Sequence, residues 1–316
     1  MTDTPKQPAA SGALLPAAAS PTVSREAMMH AVRSVLDSMD TLDNTKDAYR
    51  RRAPHFIDYL LAEGFNRNTL RQYKRFLAEQ PNISASTKNA YFYTAKVLLQ
   101  ELAHREQVPD ITKNIKGFEL GKKHKKEGIN AGEVQRISDA LQRLPASYQN
   151  LRLRAIVALL ALQGLRQIEI IRLDRSDVDL VNKTIQVRGK GQHDKEMMYL
   201  HPAVVRALAT HVEGNRIADG PLFTSFSNNS KHRRLTTYSV RTMVKKLLRE
   251  LGIPRSTHGF RHYFITALLK SLNGNVVEVA KYSRHQSLEM LQVYNDEISH
   301  QETLPRYYDT FKNLGF

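Results

Sequence analysis

Thr257-His258-Gly259-Phe260-Arg261-His262 is the stretch on which the reading of this chain turns. Apolar residues at helical intervals run on from it, predicting a helix over 260–272. His258 and Arg261 therefore stand three apart near a helix start and can face one anion together. Arg adds a planar fork of donors that grips two phosphate oxygens, a geometry Lys lacks. An isolated His-x-x-Arg is more often a helix terminus, so its weight depends on its surroundings.

Upstream, Gly164-Leu165-Arg166-Gln167-Ile168-Glu169 follows an apolar helix predicted over 151–163. The Gly ends that helix and leaves Arg166 at a junction before a short helix over 167–172. Glu169, one turn on, is placed to hold the Arg fork or a neighbouring His. Arg172 and Arg175 read as surface charges. Downstream, His285 lies in Ser283-Arg284-His285-Gln286-Ser287, and Tyr294 follows it by nine residues at the end of a helical segment. With thirteen Tyr in the chain, any one is by default a packing residue.

A phosphodiester repels nucleophiles, and its transition state gathers further charge on the nonbridging oxygens. Without a metal, its cleavage needs fixed cations, an acid for the leaving oxygen and a nucleophile. A phenol, with a reference pKa of about 10, attacks only when cations stabilise the phenolate or a base takes its proton. The chain carries Arg, His, Arg, His and Tyr in an order that meets these needs.

Composition agrees. Among 316 residues, 47 Lys and Arg outweigh 31 Asp and Glu, a formal charge of +16. Such a surface suits nucleic acid. A 41% apolar fraction can build a core, but no run approaches the ~20 apolar residues of a membrane span. Cysteine is absent, which excludes disulfides and thiolate metal ligands. The start, MTDTPKQPAA, has no signal-peptide pattern. The expectation is a cytoplasmic, DNA-associated protein with no membrane partner, no metal and no cofactor.

Residues 1–23, rich in Ala and Pro, read as a disordered tail. Residues 24–112 read as a small domain of about four helices. Asn44 and Asp47 have capping-box spacing, Pro54 should kink or reset the run that follows, and Asn68 and Ser86 precede further helical runs. Arg50, Arg51, Arg71 and Lys74 are its candidate DNA contacts. Residues 113–128 read as a flexible basic linker and add Lys122, Lys123, Lys125 and Lys126. Asn130 and Glu133 form a second capping box, with Ile129 and Val134 placed as a staple, so a second domain is expected over 129–299. Two short strands, 184–188 and 196–200, flank the turn-rich GKGQHDK, and helices follow around 203–213, 238–251, 260–272, 275–281 and 288–295. The fold class is mainly α with a small β-sheet. In the tail at 300–316, Leu304, Tyr307, Tyr308, Phe311, Leu314 and Phe316 are spaced to share a helical face behind Pro305.

Taken as a set, Arg166 in GLRQIE, HGFR at 258–261, His285 and Tyr294 resemble the tyrosine recombinase, or phage integrase, family over about residues 24–300. The resemblance implies a helical core-binding DNA-binding domain, a linker and a mixed α/β catalytic domain. It implies a catalytic Lys in the GKG of a β-hairpin, pointing to Lys190 with Lys195 as a less favoured rival. By this resemblance Tyr294 attacks the phosphorus, Arg166 and Arg261 hold the nonbridging oxygens, and His285 supports them. His258 assists proton removal from Tyr294, Lys190 protonates the leaving 5′ oxygen, and Glu169 is a supporting carboxylate. The implied reaction is site-specific recombination of double-stranded DNA through a 3′-phosphotyrosyl intermediate and a Holliday junction. The implied assembly is a homotetramer on synapsed DNA and a monomer or dimer when free, with the tail packing on a neighbour or on its own domain. One departure stands out. Where the family has Leu-Gly before its second His, this chain has Ser283-Arg284, and Arg284 joins the candidate DNA contacts. The alternatives are a type IB topoisomerase-like enzyme and a non-catalytic DNA-binding protein.

Overall fold

A computed structural model describes residues 24–119, 128–189, 194–226, 232–285 and 287–295, and Pro305, Tyr308, Asp309 and Lys312 beyond them. The chain divides into two compact units, residues 1–121 and 122–316. The expected N-terminal tail and Lys122, Lys123, Lys125 and Lys126 lie outside the described residues.

The first unit holds four helices: α1 (Arg25–Ser38), α2 (Asp43–Glu63), α3 (Thr69–Glu79) and α4 (Ala85–His104). Their apolar faces meet in one cluster around Tyr73, Leu77, Phe92 and Leu99, and a smaller one around Leu36, Ala53 and Leu98. Ser24 and Ser84 cap α1 and α4 by accepting from the N–H groups of Ala27 and Thr87. The cap of α4 is thus Ser84, where the sequence pointed to Ser86. No capping box forms at Asn44. Leu42 stands at the cap position of α2, and Asp47 instead accepts from Arg50. Pro54 lies inside α2 without ending it. Residues 113–118 are not a free linker, since Ile115 is buried in the cluster and the Asn89 amide bonds both the N–H and the carbonyl of Phe118 at 2.7 Å.

The second unit opens as expected. The Asn130 side chain accepts from the Glu133 N–H at 2.8 Å, and Glu133 accepts in return at 2.9 Å, so α5 (Ala131–Arg143) starts on a complete capping box. The apolar α6 (Tyr148–Leu162) runs through the core, and α7 (Gln167–Ile171) follows it. An antiparallel meander comes next, with β1 (Val178–Asp179) pairing β2 (Thr184–Arg188) and β2 pairing β3 (Lys195–Tyr199). Ile185, Val187 and Met198 face the core, and Gln186, Arg188, Met197 and Tyr199 face outward. Helices α8 (Pro202–Gly214), α9 (Thr237–Glu250), α10 (His258–Ser271), α11 (Val276–Ser283) and α12 (Leu288–Asn295) complete the unit. A separate cluster of Ile265, Leu269, Val279, Leu291 and Tyr294 joins α10, α11 and α12. Among the described residues no helix is long and apolar enough to cross a membrane, and no group of side chains could hold a metal ion. The fold is mainly helical with a small sheet.

Candidate active site

The site is built on three chain turns. The first is the break between α6 and α7. Gly164 adopts φ +59, a left-handed conformation that admits Gly most readily, and a Cβ there would lie 2.4 Å from the Phe264 ring of α10. This close approach lets the Gly164 carbonyl accept from Arg261 Nη1 at 2.6 Å. Arg166 then caps α7, and its backbone N–H donates to Glu169 Oε2 at 2.8 Å while its Nη1 donates to Oε1 at 3.0 Å. Glu169, expected to hold the Arg fork or a neighbouring His, is wholly buried and holds one nitrogen of the Arg166 guanidinium.

The second turn is the start of α10, where Thr257 is buried and bonded by the Gln167 amide. His258 is exposed on the first residue of the helix, while Arg261, one turn in, is only 3% exposed. Burial, and after it the charge of Arg166, push the Arg261 pKa down to about 10, so it remains a cation at neutral pH.

The third turn joins α11 to α12. The Ser283 carbonyl accepts from Arg261 Nη2 at 2.8 Å, and the Ser283 hydroxyl lies 2.8 Å from His285 Nδ1. His285 Nε2 is 3.2 Å from Arg261 Nη2. Burial, then the charges of Arg261, Arg166 and Arg284, push the His285 pKa down to about 4. The ring is therefore neutral at pH 7 and carries a single N–H. Between these residues, Arg284 turns inward. Its side chain is 4% exposed and its Nη2 donates to Glu169 Oε2 at 2.8 Å. The expectation that Arg284 meets DNA is corrected, because its charge is spent inside the protein.

Contacts thus bring together Arg166, Glu169, Arg261 and His285, which the sequence singles out, and Arg284 in a role the sequence does not suggest. Tyr294 is 3% exposed, packed in the apolar cluster with its ring 5.0 Å from that of His262. His262 is a neighbour that sequence reasoning misses, since no spacing signal marks it. Lys190 lies outside the described residues. Its rival Lys195 pairs with Asp177. Arg172 is more than a surface charge: it donates to the Gly189 carbonyl at 3.1 Å and so secures the end of β2.

In the first unit, Arg50 is paired with Asp37 and Asp47, each at 2.5 Å. Arg51 and Arg71 are exposed. Arg71, Lys74, Arg75 and Lys116 line one cleft with Phe118, and the Lys74 ammonium sits 5.4 Å from the centre of that ring.

The model of the phage integrase family matches residues 128–300, more than half of the chain. A tyrosine recombinase of Synechocystis sp. is 29% identical over 174 residues, covering 54% of this chain and 55% of that protein. Another, of Synechococcus elongatus, is 33% identical over 147 residues, covering 45% and 46%. The chain spans about half the length of these curated relatives. Among solved structures it is similar to the XerH site-specific recombinase bound to palindromic difH substrate in a post-cleavage complex. The TM-score is 0.68 at 17% identity, over 91% of this chain and 85% of that one. A lambda integrase dimer bound to a COC′ core site gives 0.65 at 14% identity, over 87% and 78%. At these identities the likeness is one of fold.

Proposed function

Because this chain belongs to the phage integrase family, we propose that it is a site-specific DNA recombinase whose nucleophile is Tyr294. The observation that carries the proposal is the convergence of Arg166, Arg261 and a neutral His285 from three separate turns. Two guanidinium groups and an imidazole N–H make a receptor for one phosphodiester, preorganised by Glu169, Gly164 and Ser283. Relatives named tyrosine recombinases support the same reading.

The reaction follows from the groups at hand. Tyr294 Oη forms a bond to phosphorus as the bond from phosphorus to the 5′ oxygen breaks. His258 assists removal of the phenol proton, and Lys190 gives a proton to the departing oxygen. The product is a 3′-phosphotyrosyl link and a free 5′ hydroxyl, so the energy of the broken ester is conserved. A 5′ hydroxyl from a second strand then reverses the step, and exchange in pairs passes through a Holliday junction on four protomers. The Tyr294 ring is packed among apolar side chains of α10, α11 and α12. In the first unit, the cleft of Arg71, Lys74, Arg75 and Lys116 is proposed to hold backbone phosphates, which give affinity and register but no sequence choice.

Trapping tests the proposal. On a duplex nicked beside the cleaved bond, the short fragment diffuses away and the protein should stay covalently joined to DNA through Tyr294. DNA bound but never joined would leave a binding protein instead.

A further inference from the structure

Arg284 occupies a backbone position suited to Gly. It ends α11 in the left-handed region at φ 53 and ψ 47, with its N–H closing on the Ala280 carbonyl at 2.8 Å. A full side chain there carries strain, so what the side chain does must offset it. The guanidinium is buried, its Nε has no acceptor among the described residues, and its Nη2 donates to Glu169 Oε2 at 2.8 Å. Arg284 and Glu169 lie 115 residues apart in the chain.

Glu169 divides its oxygens. Oε1 accepts from Arg166 Nη1, and Oε2 accepts from both the Arg166 backbone N–H and Arg284 Nη2. Two guanidinium charges therefore share one carboxylate. An Arg166–Glu169 pair alone would be neutral, and a carboxylate released by Arg284 would draw Arg166 into a two-nitrogen fork. With Arg284 in place, the three groups keep one net positive charge and the Arg166 guanidinium is held by a single nitrogen. Arg166 is also the one that looks outward, its side chain 35% exposed against 4% for Arg284. The same turn fixes Arg261 through the Ser283 carbonyl, so residues 283–285 set both phosphate-facing arginines.

Resting on the recombinase reading above, we propose that Arg284 is a positioning residue that occupies Glu169 and thereby leaves the Arg166 fork charged and free for the scissile phosphate. Arg284 itself does not touch the DNA.

Two variants of the full chain test this. Arg284→Gly suits the backbone and removes the cation, and Arg284→Lys restores the cation. The first readout needs no DNA: phenylglyoxal modification of Arg166, followed by peptide mapping. In Arg284→Gly, Glu169 closes on two nitrogens of the Arg166 guanidinium, so labelling should slow several-fold, while Arg284→Lys should label near the parental rate. The second readout is covalent joining to a nicked duplex cut from the DNA that flanks the gene. Arg284→Gly should join on the order of 10-fold more slowly with unchanged binding, and Arg284→Lys should recover most of that. In a Glu169→Gln background, Arg284→Gly should cost little more. Parental labelling of Arg166 in Arg284→Gly, an equal loss in both backgrounds, or a Lys variant as slow as the Gly variant would overturn the proposal. So would an Arg284→Gly protein that no longer folds, since the pair would then be a tie for the fold. A parent that joins no DNA, with Arg166 labelling shifted as expected, would count against the recombinase reading and leave the tie between Arg284 and Arg166 standing.

Discussion

The Gly164 carbonyl holds Arg261 Nη1 at 2.6 Å, and it does so from a left-handed turn pressed against Phe264. Any side chain at Gly164 must push that ring or the turn aside, and Phe264 lies one helical turn beyond Arg261. Gly164→Ala should therefore cost about 1–3 kcal/mol of stability and slow covalent joining to DNA. Gly220 is a control, having φ +66 but open space where a Cβ would sit, so Gly220→Ala carries backbone strain alone. Thermal melts and joining rates of the two variants separate the effects. Joining at the parental rate in Gly164→Ala would show that Arg261 does not depend on this carbonyl.

The general acid is tested by leaving-group chemistry. A substrate with sulfur at the 5′-bridging position needs less protonation to depart. Lys190→Ala should be slow on ordinary DNA and substantially rescued by the sulfur substrate. Lys195, paired with Asp177, should show no such rescue when replaced by Ala. The reverse pattern would move the acid to Lys195.

Acid should weaken the fold through His211. Its ring is 1% exposed, donates from Nε2 to the Leu222 carbonyl at 2.9 Å and accepts at Nδ1 from Asn215 at 2.9 Å, so it is neutral when folded. Burial pushes its pKa down to about 4, against about 6.5 in the unfolded chain. As pH falls, the unfolded chain takes the proton first. This contribution is complete above about pH 6.5 and is lost between there and about pH 4, at most roughly 3 kcal/mol. His285, displaced the same way to about 4, adds to the slope. Tm measured from pH 7.5 to 4.5 should fall more steeply for the parent than for His211→Gln, and equal slopes would contradict the assignment.

Removal of the residues after Ser299 should leave a protein that folds and binds a single half-site yet assembles poorly and recombines little. Burying an aromatic or aliphatic side chain contributes roughly 1.5–3 kcal/mol, and this tail carries Leu304, Tyr307, Tyr308, Phe311, Leu314 and Phe316, of which Tyr308 is exposed. Sedimentation and gel shifts decide it: unchanged tetramer formation and full recombination would refute docking on a neighbour, and an insoluble product would place the tail in its own domain.

Local signals are legible in the sequence and distant ones are not. The Asn130–Glu133 capping box is a relation within four residues, and the structure has both of its bonds. Strand β2 alternates visibly and is legible at its true bounds, whereas the two-residue β1 is too short for any period to show. The same capping spacing at Asn44 misleads, because α2 starts earlier, with Leu42 at the cap position and Asn44 already inside the helix. Pairings across the chain are harder still. Arg50 reaches Asp37 and Arg284 reaches Glu169, and neither pairing leaves a mark in spacing. The convergence of Arg166, Arg261 and His285 is what the family resemblance of their motifs implies. The support they receive from the Gly164 and Ser283 carbonyls does not, since any residue has a carbonyl.

The most direct test of the whole account is Tyr294→Phe. The ring packs against Ile265, Leu269, Val279 and Leu291, so losing only the hydroxyl should leave the apolar packing in place and change stability by no more than about 1 kcal/mol. Covalent joining to a nicked duplex, by contrast, should vanish while the affinity for that duplex is kept. In the parent, mass spectrometry of the trapped product should find the nucleotide on Tyr294. A normal yield of covalent complex from a folded Tyr294→Phe protein would contradict the account and send the search for a nucleophile to Tyr282 or Tyr307.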